Sequence, residues 1–125
     1  MVAYNFQQQF EPAIASGLKT RTIRRNGKRL HATRGDLLQL YVGMRTKACR
    51  KILVRDPVCV DFYKLTMEID LESIGAILID GLGVRSIDRF AKSDGFKNAK
   101  DMHAFWLQFH GPGRFVGTLI EWEKP

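Results

Sequence analysis

A helix that has to stop and a strand that has to start meet within the segment Phe10–Arg24, FEPAIASGLKTRTIR. Phe10, Ala13, Ile14 and Gly17 fall at helical spacing, and Pro12 sits in the first turn, where no amide donor is needed. Gly17 is the natural C-terminal cap. Lys19-Thr20-Arg21-Thr22-Ile23-Arg24 then turns into a strand. Three cations and two hydroxyls therefore crowd into six residues just past a helix end, where polar side chains can converge on a ligand without breaking a core. The plainer reading of the same residues is a solvated basic turn.

The rest of the chain is short elements separated by turn residues. Val2–Phe6 reads as a first strand. Asn26–Gly35 carries Lys28, Arg29, His31 and Arg34 and reads as a basic loop opened by the turn pair Asn26-Gly27. Asp36–Val42 reads as a mostly buried strand, and Gly43-Met44-Arg45 as a turn. Ala48–Arg55 and Val58–Tyr63 read as two strands split by Asp56-Pro57, because Pro57 cannot continue a central ladder. Thr66–Asp70 and Ile74–Asp80 are further strand candidates. Gly81-Leu82-Gly83 breaks the chain and is not a phosphate loop, since no G-x-x-x-x-G-K-[ST] occurs.

Ser86 caps a helix to about Lys92, and Asn98 caps a second, with Asp101 in its first turn. Met102, Phe105, Trp106 and Phe109 repeat at i, i+3, i+4 and i+7, which reads as a core stripe rather than a base-stacking surface. Phe115–Trp122 closes the chain as a strand. The pattern describes one α+β domain over residues 1–125: a curved sheet or small β-barrel of five or six strands with about three short helices.

Charge is unevenly placed. Residues 1–55 hold twelve Lys/Arg and two Asp/Glu, a net of +10, whereas residues 56–125 hold eight and eleven, a net of −3. A basic half of this kind attracts phosphate backbones over long range. Cys49 and Cys59 read as buried free thiols. His31, His103 and His110 share no metal-ligand spacing with them, so no metal and no cofactor is expected. No apolar run approaches the roughly 20 residues of a membrane span, and MVAYNFQQQF lacks a signal-peptide pattern. A cytoplasmic protein with no membrane partner is the expectation.

SGLKTRTIR, the later Arg34-Gly35-Asp36-Leu37-Leu38, the late Asp94-Gly95-Phe96 with Met102, Phe105 and Trp106, and the closing Phe115–Ile120 form an ordered set. That set resembles the ASCH domain, a small relative of the PUA fold found in short proteins of bacteria and their phages. The resemblance spans nearly the whole chain and implies a PUA-like fold with a cleft around the K-T-x-T-I-R segment. Some small bacterial ASCH proteins are amidohydrolases that deacylate acetylcytidine-type nucleosides. Carried over by motif, their catalytic residues fall on Lys19, Thr22 and Asp94: Thr22 as nucleophile, Lys19 as its base, and Asp94 orienting Lys19 or a water. Those enzymes carry Glu where this chain has Asp94, one methylene shorter.

Three function classes stay open at this point. In the first, an RNA- or nucleoside-binding module uses Arg21, Arg24, Arg25, Lys28, Arg29, Arg34 and Arg45 as its nucleic-acid contacts. In the second, the same cleft is a hydrolase acting on a modified nucleoside, or a ribonuclease. In the third, a phage accessory protein meets a protein partner through its basic face.

Overall fold

The computed structural model describes residues 1–124. In chain order it runs β1 (Val2–Phe6), a single 3-10 turn (Gln8–Phe10), α1 (Glu11–Ser16), β2 (Arg21–Arg25), β3 (Leu38–Val42), β4 (Arg50–Lys51), β5 (Cys59–Ile69), β6 (Ile74–Ile79), β7 (Leu82–Gly83), α2 (Ile87–Ser93), α3 (Ala99–Phe109) and β8 (Gly113–Trp122). The α+β class and the three short helices agree with the sequence pattern. The eight strands form two sheets, β1-β3-β4 and β2-β8-β5-β6-β7, and neither closes into a barrel.

β5 is the spine of the larger sheet, paired with β8 along one edge and β6 along the other. Leu65, Met67 and Ile69 alternate onto one buried face, and Thr66 on the other face is buried as well. The sequence pattern divided this strand into Val58–Tyr63 and Thr66–Asp70; Lys64 and Leu65 carry the ladder straight through. The expected strand over Ala48–Arg55 shrinks to Arg50–Lys51 and pairs with β3, not with β5. The start of β5 instead meets the residues just before β3, through the Leu37–Val58 bridge.

The sheets are zipped at one corner and open at the other. At the closed corner Leu37 bridges Val58, Leu38 N donates to Pro57 O at 2.9 Å, and Cys59 N donates to Asp36 O at 2.8 Å. At the open corner β1 and β2 are both edge strands and do not pair. Side chains span the gap instead: Arg24 Nη2 donates to Asn5 O at 2.8 Å, and Arg29 Nη2 donates to Ala3 O. The guanidinium donors thus satisfy edge carbonyls that a closed barrel would have paired with backbone.

Both helix caps read from the sequence are present. Ser86 Oγ accepts from Arg89 N at 3.1 Å, and Asn98 Oδ1 accepts from Asp101 N at 2.9 Å. Asp88 Oδ1 also accepts from Ala99 N at 2.9 Å, which ties α2 to the start of α3. Both thiols are free, but only Cys59 is buried; Cys49 lies exposed in the loop before β4. Among the described residues no helix is long and apolar enough to cross a membrane.

Asn98→Ala removes the cap that starts α3 and should lower unfolding stability by about 1 kcal/mol, read as a lower urea midpoint at unchanged slope. An unchanged midpoint would show that the helix does not depend on that cap.

Candidate functional site

Gly17 closes α1 in the left-handed region (φ 81°), which turns the chain so that Lys19 points inward. Lys19 is 3% exposed. Its Nζ donates to Asp94 Oδ1 at 2.8 Å and to the Asp94 carbonyl at 2.6 Å. Asp94 is the C-terminal cap of α2 and is 4% exposed. The ammonium therefore meets both a carboxylate and the negative end of a helix. Gly95 follows with φ 96°; a Cβ there would stand 3.0 Å from Lys19 Cδ and 3.1 Å from Phe10 Cδ1. Its missing side chain is the space through which Lys19 reaches Asp94.

Burial pushes the Lys19 ammonium below its ordinary pKa, and the Asp94 charge beside it offsets part of that shift. Burial pushes the Asp94 carboxyl up, offset in turn by Lys19. The two shifts converge. Moving the proton from Lys19 to Asp94, strongly uphill in water, is less costly here. Asp94 Oδ2 has no hydrogen-bond partner among the described residues, and the residue lines a cavity.

That cavity, about 240 Å³, lies at the open corner between β1 and β2. Asn5, Phe6 and Gln7 form one wall, Thr22, Ile23 and Arg24 another, and Lys19 with Asp94 the polar end. Phe10, Phe96, Phe105, Trp106 and Phe109 supply the aromatic remainder. Phe10 packs edge-on to Phe96 at 5.2 Å and to Phe105 at 5.4 Å, and Phe105 lies 4.6 Å from Phe109. The α3 stripe is thus only partly core. Met102 is fully buried, whereas Phe105, Trp106 and Phe109 face the cavity, and Phe109 is 54% exposed. Helical periodicity marks an apolar face but does not say whether protein or a hollow lies opposite. Trp106 Nε1 is buried without a hydrogen-bond partner, an unpaired donor on a cavity-lining residue.

Thr22 is buried on the cavity wall, but Lys19 does not bond it. Its Oγ1 accepts from Arg24 Nε at 3.0 Å. Arginine only donates, so the hydroxyl keeps its own proton free for another acceptor. Arg24 lies over the rings of Phe6 and Tyr4, at 4.6 and 5.1 Å. Burial pushes its pKa down to about 10, which leaves it charged at neutral pH. It is a built-in wall of the cavity rather than a free surface cation.

A second, wider groove of about 580 Å³ shares Asn5 and Arg24 with the cavity. Arg25, Lys28, Arg29 and Arg45 line it together with His31, and none of its lining residues is acidic. None of these four cations has an ion-pair partner among the described residues. Two of the sequence candidates lie elsewhere. Arg21 pairs with Glu121 at 3.5 Å and covers Phe90, and Arg34 pairs with Asp61 at 2.7 Å beside Phe62. Charge count alone could not separate these neutralised arginines from the free ones.

Among the described residues no cluster of His, Cys, Asp and Glu could hold a metal ion. Comparison with family models, curated proteins and solved structures finds no match to this chain.

Lys19→Met removes the ammonium and leaves Asp94 as a buried, unpaired carboxyl. Breaking such a pair should cost about 3–5 kcal/mol near neutral pH. With its folded pKa above the unfolded value, Asp94 binds its proton more tightly in the native state. The variant should therefore lose stability as pH rises from about 4 towards 7. Urea unfolding across that range, with Lys19→Met/Asp94→Asn as the control that flattens it, checks the sign. A single variant whose stability does not fall with pH would contradict the buried pair.

Proposed function

We propose that this chain is an ASCH-type module that binds a nucleobase-bearing ligand, a nucleoside or a nucleotide of RNA. The base would enter the aromatic cavity and phosphate would lie on the adjoining basic groove. The observation that carries this reading is the shared wall: an aromatic hollow with a buried ion pair lies, across Asn5 and Arg24, beside a groove lined by four cations without an ion-pair partner among the described residues. The hollow, about 240 Å³, falls below the roughly 300–1,000 Å³ of drug-sized pockets and suits one heterocycle. Aromatic faces stack bases without regard to sequence, and polar groups at the cavity end read the base edge. A groove free of carboxylates draws a phosphate backbone and makes binding salt-dependent.

Lys28→Glu/Arg29→Glu tests it. Single-stranded RNA should bind more weakly, and the slope of log K against log salt should flatten by about 1.4, two contacts at roughly 0.7 each. Wild-type affinity and slope in the double variant would remove the groove from the interface.

The second reading, deacylation of an acetylcytidine-type nucleoside, is favoured by the converging shifts of Lys19 and Asp94. Lys19 would first pass a proton to Asp94 and so become a base. Thr22 Oγ would then attack the amide carbonyl as its proton moves to Lys19. That proton would go on to the leaving amino group of cytidine, and water would release acetate from the threonine ester. The hydroxyl has to turn towards Lys19 for this, since in the resting site it accepts only from Arg24. Cytidine release from acetylcytidine that disappears in Lys19→Ala is the expected result. No release by the folded wild-type protein would leave binding alone.

A further inference from the structure

Phe109 is the one cavity aromatic whose ring stands largely outside. It ends α3, is 54% exposed, and continues the ring series from Phe10 through Phe105, its centroid 4.6 Å from that of Phe105. An exposed phenylalanine has no use as core, and its neighbour Phe105 already closes the packed cluster with Phe10 and Phe96. The basic groove meets the same cavity on its Asn5–Arg24 wall. The site thus combines an adjoining basic groove, an aromatic hollow and an exposed aromatic platform.

From this we infer that the site takes a single-stranded oligonucleotide across at least two consecutive nucleotides. One base occupies the chamber, the backbone phosphate lies on Arg25, Lys28, Arg29 and Arg45, and an adjacent base stacks on the outer face of Phe109. The inference rests on the nucleobase reading above and extends it from one nucleotide to a strand. A duplex does not fit this arrangement, because its bases are already stacked on one another and the chamber accepts a base only when it is splayed out. Base-on-aromatic stacking is available to every base, so the platform adds affinity without choosing a sequence.

The test compares cytidine 5′-monophosphate with single-stranded oligocytidine of about five nucleotides, as RNA and as DNA, by competition against a fluorescent oligomer. In the wild type the oligomer should bind more tightly than the mononucleotide. Phe109→Ala should cut the ratio of oligomer to mononucleotide affinity about tenfold, and Phe109→Tyr should restore it. Tighter binding by either sugar supports the inference, and the RNA-to-DNA ratio reports whether a 2′-hydroxyl is touched. An oligomer no tighter than the mononucleotide, or a ratio that Phe109→Ala leaves unchanged, overturns the inference while the one-base chamber stands. Failure of every probe to bind the folded protein overturns both.

Discussion

The buried bond between Lys19 and Asp94 joins residues 75 positions apart in sequence and fixes how the first third of the chain meets the last. Taking two charges out of water costs several kcal/mol per ion, and that cost is recovered only where geometry and further hydrogen bonds are good. Here one ammonium serves the carboxylate and the backbone carbonyl of Asp94, the cap of α2, together, at 2.8 and 2.6 Å. Gly17 aims the lysine and Gly95 clears its path. The turn after α1 is thereby pinned to the end of α2, and the cavity exists because those two places are held together while β1 and β2 stay unpaired.

The open corner follows from similar accounting. Edge carbonyls of β1 need donors, and arginines from β2 and the basic loop supply them. The same guanidinium that bonds Asn5 also bonds the Thr22 hydroxyl. Arg24 is therefore structural first, and its role in any chemistry is to set which way that hydroxyl can donate. Farther out, Arg25, Lys28 and Arg45 have neither carboxylates nor edge carbonyls to serve among the described residues. What distinguishes the cations of this half of the chain is what each is already bonded to.

Much of the local structure was legible because it is governed by local chemistry. The Gly17 stop, the Ser86 and Asn98 caps and the strand at each end of the chain all follow from residue types within a few positions. Lys19, Thr22 and Asp94, candidates by residue type and motif, line one cavity. What the sequence could not give depends on distant partners. β5 runs unbroken because β6 and β8 flank it, and Arg50–Lys51 finds its partner in β3. The exposure of Cys49 and Phe109, the neutralisation of Arg21 by Glu121 and of Arg34 by Asp61, and the bond from Arg24 to Thr22 likewise arise from tertiary placement.

On the proposed reading a nucleobase sits in the aromatic hollow beside Lys19 and Asp94. The chain has two tryptophans. Trp106 lines the hollow and its buried indole N–H has no partner among the described residues, and Trp122 is buried against Phe6. Proton–nitrogen NMR of the two indole groups, assigned with Trp106→Phe and titrated with single-stranded RNA, tests the claim most directly. A base in the hollow should move the Trp106 signal in proportion to RNA bound, with the larger shift of the two. A Trp106 signal that stays fixed while the RNA is bound would place the ligand elsewhere and contradict it.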